Sequence, residues 1–168
     1  MKIAIVSDTH SRYADVRAAL GAIKKRGVTT VLHCGDIEDG DTVRLFASLD
    51  AHFVFGNCDY DKEGLRRAMA EIDATSHEHW GHLELDGRKL AFMHGDDKSL
   101  LRDVESSGEF NYLFHGHTHV AAQRQSGPTR VINPGALHRA KPKTFIVLDL
   151  AIDAVESIAI SPSEETSR

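Results

Sequence analysis

The chain has little cysteine, little proline and no excess of positive charge: two cysteines, four prolines and 20 Lys+Arg against 25 Asp+Glu in 168 residues. Two thiols, Cys34 and Cys58, are too few for a disulfide framework, and a reducing compartment would keep them free. Both follow neighbouring predicted strands, so a Cys34–Cys58 bridge stays open as a minor alternative. No apolar run reaches the roughly 20 residues of a membrane span. The N-terminus, M-K-I-A-I-V-S-D, lacks the apolar core and cleavage site of a signal peptide. A cytoplasmic protein with no membrane partner is expected. The formal net charge of −5 argues against a general nucleic-acid binder, which would carry a basic face.

What the chain does have is a hydrophobic fraction of 41%, a charged fraction of 27% and 11 histidines. The first two values are those of a soluble globular domain with a real core. Histidine is the commonest metal ligand and titrates nearest neutrality, so the placement of these rings matters.

Apolar periodicity alternates strand and helix through the first half. Strands are predicted over 2–7, 28–33 and 51–55, and helices over 13–25, 41–49 and 62–72. Three βα units argue for a parallel or mostly parallel sheet with helices packed on it. The second half is richer in strand. Segments 82–85 and 89–93 flank Asp86-Gly87, a hairpin signal, and a helix is predicted over 98–106. Strands follow over 112–115, 120–125, 130–132, 145–149 and 154–160, with S-G-P-T turning between two of them. The pattern predicts an α/β fold of two sheets packed face to face and covered by helices, as one domain over 1–160. Residues 161–168 read as a tail.

Five predicted strands end in ligand-type side chains beside glycine or a short polar turn: S-D-T-H (Asp8, His10), H-C-G-D (Asp36), F-G-N-C-D (Asn57, Asp59), M-H-G-D (His94, Asp96) and H-G-H-T-H (His115, His117, His119). Ligands bind at the carboxyl ends of strands in open α/β sheets, so these clusters should converge on one rim. A carboxylate can bridge two cations while imidazoles and an amide oxygen complete their shells. Nitrogen and oxygen donors without a required thiolate suit Mn, Fe, Co, Ni or Zn. In two-metal sites such ions clamp the attacking and leaving oxygens of a phosphoryl group.

In order and spacing these blocks resemble the calcineurin-like metallophosphoesterase superfamily, over Met1 to about Leu150. The short length, the G-N-C-D form and the N-P-G turn at Asn133 resemble its small bacterial and archaeal phosphodiesterase branch. The resemblance implies a four-layer α/β/β/α fold, a two-sheet β-sandwich flanked by helices with the site at strand C-terminal ends. It implies one divalent transition-metal ion on Asp8, His10, Asp36 and His119. A second would lie on Asp36, Asn57, His94 and His117, with manganese first among the candidate metals. Asp36 would bridge, and a hydroxide between the ions would attack a phosphodiester in line. His33 and His115 fall outside this ligand pattern and are expected to pack or support it. Asp59 and Asp96 are expected to orient ligands. His52, His77, His79 and His82 are expected on the surface or in loops. His138 and Arg139, just after the N-P-G turn, read as a solvated loop, with reach to a substrate phosphate as the alternative.

Larger relatives read G-N-H where this chain reads G-N-C. A thiol at Cys58 is a poorer proton donor than an imidazolium and cannot carry its charge. Small phosphodiesters or activated esters are therefore expected as substrates, ahead of alkyl monoesters. Self-association as a dimer or tetramer is expected of small folds of this kind. The alternative is a catalytically weak scaffold on the same fold, as in the retromer subunit of this branch. Every ligand position is filled here, which favours catalysis.

Overall fold

The structure, a computed structural model, describes residues 1–161. The expected tail lies outside the described residues apart from Ser161. The first half folds as β1 (Lys2–Val6), α1 (Tyr13–Lys25), β2 (Thr30–His33), α2 (Gly40–Arg44), β3 (Asp50–Phe53), α3 (Lys62–Glu71) and β4 (Thr75–Ser76). The second half adds β5 (Trp80–Leu85), β6 (Arg88–Met93), α4 (Lys98–Ser107), β7 (Tyr112–His115), β8 (Ala122–Ser126), β9 (Thr129–Asn133), β10 (Lys143–Asp149) and β11 (Ala154–Ile160).

Two mixed sheets result, a six-stranded one in the order β11-β10-β1-β2-β3-β4 and a five-stranded one in the order β5-β6-β7-β9-β8. Strands β1, β2 and β3 run parallel in the first, and β6, β7 and β9 run parallel in the second. Alternation along each strand decides the layers, because successive side chains point to opposite faces. Ile3, Ile5, Ile146 and Leu148 meet Leu90, Phe92, Tyr112 and Phe114 between the sheets. Ala4, Val6, Val31 and Phe145 face the other way, onto Val16, Leu20 and Ile23 of α1 and Leu65 and Met69 of α3. On the far side Ala91, Met93, Leu113 and Val131 pack on Val104 of α4. Each large apolar side chain removed from water contributes about 1.5–3 kcal/mol, so three such interfaces account for four layers.

Several local expectations are corrected. The helix expected over 41–49 stops at Arg44, and the chain continues in tight turns in which the amides of Ala47 and Leu49 bond three residues back. This winding buries Phe46 and Leu49 against the sheet. The strand expected from residue 120 begins at Ala122, because Val120 belongs to the exposed loop after His119. The two-residue strand β4 has no periodic signal and exists through its pairing with β3. Of the histidines expected on the surface or in loops, His77 does lie in the loop before β5 but His52 stands on β3; both are half-buried, with ring nitrogens 3.0 Å apart. Cys34 lies in the interlayer core and both cysteines are free, so the bridge between them is not formed.

His33, at the end of β2, is fully buried, stacked on Phe53. Its Nδ1 accepts the Gly35 N–H at 3.1 Å, which leaves Nε2–H to face Thr9 Oγ1, also at 3.1 Å. Burial holds this ring neutral, pushing it from 6.5 down to about 3. In the unfolded chain it takes up a proton below pH 6.5, whereas in the fold it does so only near pH 3. Its contribution to stability is therefore full above pH 6.5 and declines as pH falls toward about 3. In chelator, the urea-unfolding free energy of the native chain should lose about 2 kcal/mol through this residue between pH 6.5 and 5. H33Q should flatten that slope, and an unchanged slope would contradict the assignment.

Candidate metal centre

The parallel strands β1, β2, β3, β6 and β7 all deliver their C-terminal ends to one edge of the sandwich. The loops that follow are joined by backbone bonds from Asp8 N to Gly35 O, His10 N to Asp36 O and Gly116 N to His94 O, each 2.9–3.0 Å. Five of the candidate ligands stand on left-handed backbone: Asp8, His10, Asp36, His117 and His119, with φ from 42° to 67°. Non-glycine residues rarely adopt this region, and each costs on the order of 1–3 kcal/mol when strained. Glycine is required beside them. A Cβ at Gly116 would overlap Ser7 Oγ and lie 2.5 Å from Asp8 Oδ2, and one at Gly56 would overlap Asp36 Oδ1.

Each carboxylate is held by one oxygen and offers the other. Asp8 Oδ2 accepts from Ser7 Oγ at 2.6 Å and from the His117 N–H at 3.1 Å. Asp8 Oδ1 is buried without a hydrogen-bond partner among the described residues, although His119 Nε2 is 3.1 Å away. Asp36 Oδ1 accepts the Cys58 N–H at 2.8 Å, while Oδ2 lies 3.4 Å from both His10 Nε2 and His94 Nε2. The imidazoles follow the same rule. His10 Nδ1 is 2.7 Å from Glu38 Oε1, and His10 Nε2 is buried and unpartnered. His94 Nδ1 donates to Cys34 O at 2.9 Å and its Nε2 faces Asn57 Oδ1 at 3.0 Å. His117 Nδ1 lies 3.0 Å from the same amide oxygen and 3.3 Å from His94 Nε2.

Asp8 Oδ1 and His10 Nε2 are buried without a partner, which is what a cation would supply. Donor atoms within 4.8 Å of one another form three overlapping groups: Asp8, His10 and His119; Asp8, Asp36 and His94; and His10, Asp36 and Cys58. The exposed Asn57 and His117 adjoin them through His94. Apart from the Cys58 thiol all are nitrogen or oxygen donors, as a borderline transition-metal ion prefers. The residues thus fit a metal ion on an observation independent of any resemblance, the orphaned Asp8 Oδ1 and His10 Nε2.

The electrostatics agree with a strongly anionic centre. Burial would raise the Asp36 carboxyl, yet His94 and the Cys58 N–H hold it at about 2. Burial would lower His94, yet the Asp36 carboxylate beside it pushes that ring up to about 9. Burial and the nearby Asp36 push the Cys58 thiol up to about 11, so it stays protonated near neutrality. A sequence model of the calcineurin-like phosphoesterase superfamily domain matches residues 1–153. The chain belongs to the calcineurin-like phosphoesterase superfamily.

A Methanocaldococcus jannaschii protein named as a phosphodiesterase is 31% identical over 138 residues, covering 80% of this chain and 83% of that one. The solved structure of an archaeal phosphodiesterase superposes with a TM-score of 0.88 at 28% identity, covering 95% of this chain and all of the other. The E. coli phosphoesterase YfcE shares the fold at a TM-score of 0.70 and 19% identity, covering 96% of this chain and all of the other.

Within this phosphoesterase site, Asp59 does something other than touch a ligand side chain. Its Oδ1 accepts the N–H groups of Ile37 and Glu38, both at 2.7 Å, and its Oδ2 those of Asp36 and Gly56, at 3.0 and 2.7 Å. It ties the loop after β2 to the loop after β3. Asp96, expected to orient a ligand, is instead exposed and makes no hydrogen bond among the described residues, while its neighbour Asp97 caps α4. His115 is half-buried with Nδ1 near Gly116 O. His138 and Arg139 line the same pocket as His10, His117 and His119. Sequence reasoning missed Glu38, Ser7 and the side chain of Asn133, whose Nδ2 donates to Gly116 O at 2.9 Å. A carboxylate two residues after Asp36 was the only available signal for Glu38; Ser7 and Asn133 carry none that periodicity could read.

Replacing Asp59 with alanine strands four N–H groups, three of them buried, and each buried one costs about 1–3 kcal/mol when unsatisfied. D59A should lose at least about 3 kcal/mol in denaturant unfolding and weaken metal binding by about 10–100-fold, as measured by chelator competition. Retained metal affinity would contradict its role in holding Asp36.

Proposed function

We propose that the protein hydrolyses small phosphodiesters with two divalent transition-metal ions, manganese first among them. One ion is held by Asp8, His10, Asp36 and His119, the other by Asp36, Asn57, His94 and His117. The observation that carries this reading is the pair of orphaned buried atoms, Asp8 Oδ1 and His10 Nε2, beside an Asp36 oxygen equidistant from His10 and His94. The family assignment and a relative named as a phosphodiesterase support it. When bound, such ions lower the pKa of water to supply a nucleophile and neutralise the phosphoryl oxygens.

The chain's own groups set up the rest. Glu38 and the Cys34 carbonyl fix the His10 and His94 rings, so the nitrogen each presents to the centre is set before substrate arrives. Arg139, which forms no ion pair among the described residues, supplies positive charge at the rim of the pocket. Cys58, with its thiol at about 11, neither attacks as a thiolate nor carries an imidazolium-like charge. A leaving group there receives little help, which favours diesters with good leaving groups over alkyl monoesters.

A polynucleotide substrate finds less support. Of the basic residues near the later strands, Arg124, Arg130 and Lys143 are ion-paired with Glu105, Asp153 and Asp15, which leaves Arg139 and Lys141 and, among the described residues, no free basic stripe. Among the described residues no helix is long and apolar enough to cross a membrane. A cytoplasmic protein that self-associates as a dimer or tetramer completes the reading.

Elemental analysis after gentle purification should return close to two transition-metal ions per chain. D36A and H94A should each lower hydrolysis of bis(p-nitrophenyl) phosphate by more than about 100-fold, beyond the loss typical of ligand-orienting groups. Unchanged rates would sink the mechanism. C58H should raise p-nitrophenyl phosphate turnover relative to the diester; a constant ratio would refute the reading of Cys58.

A further inference from the structure

Two cavities flank the metal centre, and they differ in charge. Beyond Asn57 lies one of about 390 Å³ whose walls include Tyr60, Lys62, His79, Asp59 and Asp96. It carries both signs and selects neither. Beyond His117 lies one of about 470 Å³, lined by Gly95, Lys98, Leu101, Arg102, Glu105 and Arg124, among others. His117 also lines the pocket of the metal centre, so this second cavity borders the site across that ring.

In this second cavity Arg124 is consumed by a bidentate pair with Glu105, which also neutralises that carboxylate. Lys98 and Arg102 remain. They stand one turn apart on α4 and line the same cavity, and neither has an acidic partner among the described residues. The only bond that Arg102 makes there is from its Nε to the Lys98 carbonyl at 3.3 Å, which adds no negative charge. Like charges at this helical spacing repel by a few tenths of a kcal/mol, a cost the fold has no internal reason to bear. Leu101 and the carbon stems of both cations give the cavity apolar lining.

A diester has two arms, and only one cavity offers unopposed positive charge. We propose that the cavity beside His117 is a subsite for a second phosphate, carried on one arm of the substrate. Lys98 and Arg102 then bind that phosphate while the scissile diester sits at the metal centre. The substrate class becomes small phosphodiesters that bear a further phosphate, such as short phosphorylated nucleotides. Lys98 and Arg102 act here as specificity residues, with no part in the bond-breaking step. This rests on the phosphodiesterase reading above, but its test does not depend on turnover.

Calorimetric titration of the manganese-loaded protein with thymidine 3′,5′-bisphosphate and with thymidine 5′-monophosphate reads the subsite directly. The bisphosphate should bind at least about tenfold more tightly at low salt, and the advantage should shrink as salt rises. In the double variant K98Q/R102Q the two nucleotides should bind within about twofold of each other. Equal affinities in the native protein, or a preference that survives in the double variant, would overturn the proposal. Turnover of bis(p-nitrophenyl) phosphate, which has no second phosphate, tests the diesterase reading separately.

Discussion

The site depends on one carboxylate that faces away from it. Asp59 receives four backbone N–H groups from two loops, and through them fixes where Asp36 sits. Asp36 stands at φ 57°, an unfavourable conformation for an aspartate, and lies between two imidazoles. The N–H groups gathered by Asp59 hold that residue in place, together with the His10 N–H on its carbonyl and the Cys58 N–H on its Oδ1. Burial pushes the Asp59 carboxyl up, and the N–H groups it accepts pull in the opposite direction. The arrangement stores strain at the loop and offsets it with charge-assisted bonds in a buried setting.

The same division of labour recurs around the centre. Asp8 spends one oxygen on Ser7 and the His117 amide, Asp36 spends one on the Cys58 amide, and His10 and His94 each spend one nitrogen on a neighbour. In each case the remaining atom is aimed inward. Preorganisation of this kind means that the fold bears the cost of bringing like groups together, and a bound cation would return it. His33 adds support from beneath, neutral and buried, holding the Gly35 amide that leads into Asp36.

Around this centre the chemistry is divided by charge. Cys58 leaves the site short of a cationic proton donor, whereas Arg139 lines the central pocket and Lys98 and Arg102 line the cavity beside His117. On the proposed reading, selectivity comes from what the arms of a diester bear and the chemistry from the donors of the candidate metal centre. Such a split is consistent with a fold whose catalytic loops lie on parallel strand ends while its specificity surface comes from the helix packed on the second sheet.

Much of the fold was legible because it is written in short periods. Alternation in Ile3–Val6, Leu90–Met93 and Phe145–Leu148 marks two-faced strands, and the helical spacing of Val16, Ala19, Leu20 and Ile23 marks α1. Ligand-type residues beside strand ends were legible for the same reason, since a parallel strand end predicts where its loop must go. Contacts across the sandwich were not legible. Nothing near Asp59 in the chain says that its partners are the amides of residues 36–38, nothing near His10 singles out Glu38, and Asp96 carries the same local signal as Asp59 without the same role. By itself, the sequence determined which residue types stand at the strand ends and hence which chemistry was available. Only the tertiary structure decided which oxygen of each carboxylate stays free, and that Lys98 and Arg102 line a cavity beside His117. Those facts arise from packing between segments far apart in the chain, which no local pattern encodes.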